Sequence, residues 1–354
     1  MLDKILDAPL SGWLLGDAND KDHIVISSRI RLARNFKDEV FTNLNNKESL
    51  ESVDKKCRSL LSVLKSADNK DYSYISLSQL SDRERAILGE KHLISPGLTE
   101  KLPYRGLLIA SNASVAIMVN EEDHLRIQAM EPGLRLQEAF EHAVIIDDSI
   151  ESKYDYGFSE KYGYLTACPT NVGTGMRASV MLHLPALAMT GRINRMVNNI
   201  IKLGYSVRGL YGEGSESLGH IFQVSNQQTM GISEEDTIEQ LEKIVKGIVK
   251  EERKSRDLLQ ENDKVGLEDC LCRSYGILKY GRRINGQEAL SLLSDVQLGM
   301  DLGILPSWGP STFNELVSIT RPNFLSKYAG QESMTSEERN SYRPNIIREK
   351  LDKH

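Results

Sequence analysis

The feature that most restricts the fold is a change of hydrophobic period near residue 230. Before it, short Ile-, Val- and Leu-rich runs with partial alternation predict strands at 23–27, 107–110, 114–119, 124–130, 143–146, 205–210 and 220–225. Between them, apolar residues spaced three and four apart predict helices over 50–64, 81–93, 133–142 and 190–203. After it only helical spacing remains. Ser233, Glu234, Glu235 and Asp236 resemble a capping box and open the pattern Ile238, Leu241, Ile244, Val245, Ile248, Val249. Further helices are predicted over 267–280, 287–302, 312–328 and 335–351, the last opened by the capping box Thr335 to Glu338. The expectation is an α+β domain at 1–230, a largely antiparallel β-sheet flanked by helices, followed at 231–354 by an all-α helical bundle suited to dimerisation or regulation. At about 150 residues per domain, 354 residues suit two.

Composition removes several function classes. With 50 acidic against 44 basic residues the net charge is −6, so no global field attracts nucleic acid, and basic chemistry must be local. The cysteines at 57, 168, 270 and 272 form neither a disulfide framework nor a paired zinc motif, which fits a reducing cytoplasm. No apolar run reaches membrane-spanning length, and Asp3, Asp7 and Asp17 interrupt the apolar N-terminal stretch. A cytoplasmic protein without membrane or direct nucleic-acid contact is expected.

Four segments carry chemistry. In 23–34, strand alternation sends Ser27, Arg29 and Arg31 to one face and Ile26, Ile30 and Leu32 to the other. In 119–130, Glu121, Glu122 and Asp123 precede a strand whose His124, Arg126 and Gln128 share a face, so a carboxylate beside an arginine is available as a base. In 168–179, Gly173 and Gly175 would let backbone N–H groups approach an anion near Arg177. Cys168, followed by proline in a polar loop, is either a buried structural thiol or an exposed one of lowered pKa. The fourth segment is Arg208 to Glu216, with Glu213 in a Gly-rich context. Each has a bland reading as a solvated polar face or loop. Together, five arginines with nearby acids fit a polyphosphate held by guanidinium forks and an incoming cationic nucleophile, which is phosphoryl transfer.

Those four ordered blocks, spanning about residues 20–230, resemble the signature blocks of the phosphagen (guanidino) kinases, closest to their bacterial protein-arginine kinase branch. Only 26 residues precede Ser27, which leaves no room for the N-terminal helical domain of the small-guanidine enzymes. Met181 also stands where those enzymes carry histidine. The resemblance implies an ATP site from Ser27, Ser28, Arg29, Ile30, Arg31, His92, Arg126, Arg177, Ala178, Ser179, Val180, Met181, Arg208, Gly209, Leu210, Tyr211, Gly212 and Glu213. It makes Glu122, Glu213 and Cys168 catalytic, with Mg²⁺ on the phosphates through mostly water ligands and no protein metal site. It further implies arginine-bearing protein substrates, an activator protein, Clp ATPase and protease machinery in stress-response quality control, and a homodimer. In the branch's phosphoarginine-reading motif, Arg339 and Arg343 remain, Asn340 replaces Asp, and Pro344 replaces Ala and is expected to disturb the helix. The alternatives are a kinase for a small free guanidino compound such as arginine, and a non-catalytic adaptor binding phosphoarginine or nucleotide.

Overall fold

The computed structural model describes residues 1–15, 22–44, 46–209, 217–309 and 311–352. Its strands are β1 (Val25–Arg34), β2 (Tyr72–Ser76), β3 (Gly106–Ala110), β4 (Val115–Val119), β5 (Leu125–Pro132), β6 (Phe158–Ser159), β7 (Gly163–Tyr164), β8 (Met176–His183), β9 (Tyr205–Gly209) and β10 (Ile221–Asn226). Its helices before residue 230 are α1 (Leu2–Asp7), α2 (Lys47–Arg58), α3 (Leu61–Asp68), α4 (Asp82–Glu90), α5 (Leu136–Glu151), α6 (Pro185–Met189) and α7 (Ile193–Lys202). After it come α8 (Glu234–Asn262), α9 (Lys264–Tyr280), α10 (Gly286–Asp301), α11 (Thr312–Ile319), α12 (Pro322–Tyr328) and α13 (Ser336–Leu351).

Eight strands form one antiparallel sheet in the order β2-β3-β4-β5-β1-β8-β10-β9, with a small β6–β7 hairpin apart. This is the expected α+β class. Each face has its own core. Ile30, Leu32, Ile127, Ala178 and Val224 pack with Val53, Ile146 and Leu241 from helices on one side. Leu107, Met118, Met130 and Met181 join Leu88, Leu293, Leu316 and Ile346 on the other. The C-terminal helices therefore close over the same sheet. The change of texture near residue 230 marks where strands stop; α8 still packs Ile238, Leu241, Val245 and Ile248 into the first of these cores.

Several expectations need correction. Residues 143–146 are helical, in α5, because Ala139, Ala143, Ile146 and Ile150 recur at helical spacing toward the core while Ile145 points outward. β2 and β8 were not anticipated; β8 lay hidden behind the Gly-rich motif that precedes it. The 312–328 helix divides into α11 and α12, with Pro322 in the first turn of the second. A register shift between Val25 and Ser27 moves Ile26 out of the Ile30 and Leu32 core into the opposite one. Pro344 does not break α13: the Asn340 carbonyl, which Pro344 cannot serve, accepts from Ile284 N at 2.9 Å.

A buried polar seam ties the layers together. Glu252 on α8, fully buried, accepts from Ala186 N and Leu187 N at the start of α6, both at 2.9 Å, and from Arg256 Nε at 3.2 Å. Arg256 also reaches Asp301 of α10 at 3.2 Å, and His23 Nδ1 meets the same carboxylate at 2.8 Å. Removing one partner of such a pair strands the other charge. Glu252→Ala should lower the unfolding free energy by about 3–5 kcal/mol, read by denaturant titration, whereas Asp257→Ala, on the exposed side of α8, should shift it by less than about 0.5 kcal/mol.

Candidate active site

The site grows from the sheet face opposite the Ile30 and Leu32 core. β1 presents Arg29 and Arg31; the register sets Arg31 between Gln128 of β5 and Arg177 of β8, and Arg29 between Met130 and Ser179. Arg126 enters from β5, and Arg208 from β9 opposite Gln223. Arg29 Nη2 donates to Gln223 Oε1 at 2.8 Å and its Nε to Ser179 Oγ at 3.3 Å, while Arg177 Nε donates to the Asn226 carbonyl at 3.3 Å. Arg31 Nε is buried with no partner among the described residues.

The electrostatics show convergence. Burial, with Arg126 and Arg177 nearby, lowers Arg29 to about 10. Burial and the charges of Arg29, Arg126 and Arg177 push Arg31 well below its ordinary value, with Glu121 opposing. Burial, then Arg208 and Arg126, lower Arg177, while Cys168 and Glu122 pull it back. Arg126 acts on Arg29, Arg31 and Arg177 alike, and Arg177 also feels Arg208, Cys168 and Glu122. Such a cluster is stabilised by a polyanion.

The β4–β5 turn supplies the acids. Arg126 Nη2 lies 2.7 Å from Glu121 and 3.1 Å from Glu122. Glu121 is the more enclosed and is fixed by Ser95 Oγ at 2.7 Å, whereas the Glu122 side chain is 42% exposed. Asp123 is buried and does different work. Its Oδ1 accepts from Asn35 Nδ2 at 2.7 Å and from Ala167 N at 2.6 Å, clamping the Cys168 loop to the acidic turn. Cys168 is half-buried, with Sγ 3.0 Å from Thr170 Oγ1. Sequence reasoning passed over Glu121, Asp123, Asn35 and Gln223. The acidic triplet was visible, but its division of labour was not.

Other expected residues lie differently. Ser28 is buried on the opposite face, donating to the Gly133 carbonyl and accepting from Arg135 N, so its hydroxyl anchors the entry to α5. Ile30, Ala178 and Val180 are core on that same face and border the site only through backbone. The Gly-rich loop is not an open anion cradle. Thr174 N donates to Thr229 O, and a Cβ on Gly173 (φ +111°) would come within 2.2 Å of that oxygen. Its glycines permit close packing of backbone. His124 does not join the polar face, because its ring accepts from Phe36 N and bonds the Val40 carbonyl. Ser27, His92, Ser179 and Met181 line one cleft with Arg29 and Gln223. Burial and Arg29 lower the His92 imidazole to about 3, so it is neutral. Gly209 closes β9; Leu210, Tyr211, Gly212 and Glu213 lie outside the described residues.

A second cationic pocket lies in the C-terminal helices, where Arg321, Arg339, Asn340 and Arg343 meet the start of α10. Arg343 is buried and donates to the Ile284 carbonyl at 2.7 Å, Asn340 Oδ1 at 3.0 Å and the Thr320 carbonyl at 3.2 Å. Burial, Arg339 and Arg321 lower it to about 10.

Residues 52–255 match the family model of the ATP:guanido phosphotransferase C-terminal catalytic domain. The chain belongs to the ATP:guanido phosphotransferase family. It is a phosphotransferase with a guanidino acceptor. Residues 264–354 match the protein-arginine kinase McsB C-terminal domain. Relatives called protein-arginine kinase are 46% identical over 348 residues in Brevibacillus brevis, covering 98% of this chain and 97% of that one, and 45% identical over 350 residues in Bacillus cereus, covering 99% and 98%. Among solved structures, the duplicated taurocyamine kinase of Schistosoma mansoni matches with TM-score 0.59 and 25% identity over 70% of this chain and 35% of that one. A lombricine kinase matches in fold with TM-score 0.57 and 22% identity, covering 70% of each chain.

The clamp can be tested in this phosphotransferase. Asp123→Ala frees the Cys168 loop without touching the arginines. Turnover should fall by about 10–100-fold from misplacement of the reacting groups, while the dissociation constant for ATP, by calorimetry, stays within about twofold.

Proposed function

We propose that the protein is an ATP-dependent protein-arginine kinase. The observation that carries this reading is the one sheet face on which the strand register sets Arg29, Arg31, Arg126, Arg177 and Arg208, with Glu122 3.1 Å from Arg126. The full-length similarity to protein-arginine kinases and the matching C-terminal domain favour a protein acceptor over a free guanidino compound. The partly exposed Glu122 and Cys168 suit a side chain presented from outside.

In this mechanism the arginines hold the triphosphate and neutralise charge that shifts toward the β–γ bridging oxygen. The acceptor's guanidino nitrogen attacks the γ-phosphorus in line; the P–N bond forms as the bond to the bridging oxygen breaks, and ADP leaves. Glu122 accepts the nitrogen's proton. Glu213 is assigned the second grip on the guanidinium, and Cys168, as thiolate, orients it electrostatically without a covalent intermediate. Glu121 holds Arg126 in place. Oxygen donors for Mg²⁺ would come mostly from the phosphates and water. The ion would add positive charge at the phosphates.

We assign the Arg339, Asn340 and Arg343 pocket to phosphoarginine, as the resemblance implies; its support is three arginines beside a helix start. The same resemblance supports a cytoplasmic homodimer working with an activator and Clp machinery. No helix among the described residues is long and apolar enough to cross a membrane.

Mg-ATP with an arginine-containing protein should yield acid-labile phosphoarginine by mass spectrometry; ATP consumption with free arginine alone, and none with the protein, would reverse the choice of acceptor. Glu122→Gln should cut turnover by about 10²–10⁴-fold with ATP binding kept, whereas Arg126→Ala should weaken ATP binding by about 10–100-fold. Cys168→Ser replaces an ionisable thiol with a neutral hydroxyl, so wild-type turnover in that variant would remove the thiolate from the mechanism.

A further inference from the structure

The lining of the nucleotide face changes along β1. Around Arg31 it is guanidinium, with Arg177 and Arg126. At Arg29 it is mixed, with Ser179 and Gln223. At Ser27, about 13 Å along the strand from Arg31, it is thioether and aromatic: Met130, Met181, His92 and Trp13. A nucleoside triphosphate has the same gradient, from charged phosphates to a flat heteroaromatic base. His92, held neutral by burial, adds no charge at that end.

Trp13 stands out there. It is 2% exposed, yet its indole Nε1 has no hydrogen-bond partner among the described residues. A buried donor left unpaired is costly, and native structures rarely tolerate one without a reason. The turn that carries it, Gly12–Leu14, is pinned from two sides. Gly12 N donates to Asn112 O at 3.1 Å, and a Cβ there would come within 2.9 Å of that oxygen. Asn314 Nδ2 of α11 donates to Leu14 O at 3.1 Å. The ring meets His92 edge-on at 6.2 Å between centroids. The indole is thus a fixed donor in a cleft that Met130 and Met181 also line, and the flexible side chains of these two can make room for a ring.

We infer that Trp13 is a base-positioning residue of the kinase: its indole N–H donates to a ring nitrogen of the ATP adenine, at the Ser27 end of the arginine face. The inference rests on that face holding the triphosphate. It adds a contact from the N-terminal segment, outside the four arginine- and glycine-bearing blocks, and it makes α11 a support for the nucleotide site.

The test pairs Trp13→Phe, which keeps a ring but deletes the donor, with 1-, 3- and 7-deaza-ATP, in which one ring nitrogen at a time becomes CH. In the wild type one analogue should bind about 3- to 10-fold more weakly than ATP. Trp13→Phe should weaken ATP by a similar factor and bind that analogue no worse than it binds ATP, with kcat nearly unchanged. Inorganic tripolyphosphate, which has no base, should bind both proteins alike; a folding defect would weaken it too. Equal affinity of the wild type for ATP and all three analogues would overturn the inference, whatever the variant does, and so would losses that multiply in the combination. Failure of the wild type to bind either ATP or tripolyphosphate would instead sink the reading of the arginine face.

Discussion

Everything in this molecule turns on holding like charges together. Burial lowers Arg29, Arg31 and Arg177, and the charge of Arg126 adds to the penalty in all three. A loop would relax away from that repulsion; β1 cannot. It lies between β5 and β8, hydrogen-bonded on both sides, with Ile30 and Leu32 locked in a core beneath. Folding energy from the apolar face therefore keeps the polar face charged and ready for an anion. Glu121 relieves part of the repulsion through Arg126, and Glu122 stays the more exposed of the two acids.

The two faces of the sheet divide structural and chemical work. One face is mostly apolar, apart from Ser28 and the Arg34–Asp147 pair, and is covered by α2, α3, α5, α7 and α8. The other is apolar toward β2, β3 and β4 and at Ile26, Met130, Met181 and Ile221, where α1, α4 and the C-terminal helices cover it. The arginines occupy what those helices leave open. The C-terminal helices are thus walls of the catalytic layer, reaching it through the Glu252, Arg256 and Asp301 seam and through Asn314. The cationic pocket of α13 and the cleft at Trp13 border one continuous core, which includes Trp13 and Ile346 alike.

Much of this was legible in the chain because strand and helix periods are local. Alternation in 27–32 exposed Arg29 and Arg31 on one side, and capping residues announced α8 and α13. Local rules failed where a tertiary contact decided. The apolar run 143–146 has no period of its own, and only the core contact of Ala139 and Ile150 makes it helical. Pro344 reads as a helix breaker until Ile284 supplies the missing donor. Gly173 and Gly175 read as an anion cradle until Thr229 and Arg34 fill the space their missing side chains leave.

By itself the sequence determined which residue types exist in number and at what spacing: arginines on alternating strand positions, acids at a turn, a cysteine before proline, helices with caps. Those are properties of neighbours along the chain. Only the tertiary structure decided which of the three consecutive acids grips Arg126, which clamps the cysteine loop and which stays exposed, and that Trp13 comes to lie beside Met130 and Met181. The physical reason is that a charge or a donor is defined by what surrounds it, and in this sheet the surroundings come from strands and helices up to 300 residues apart in sequence.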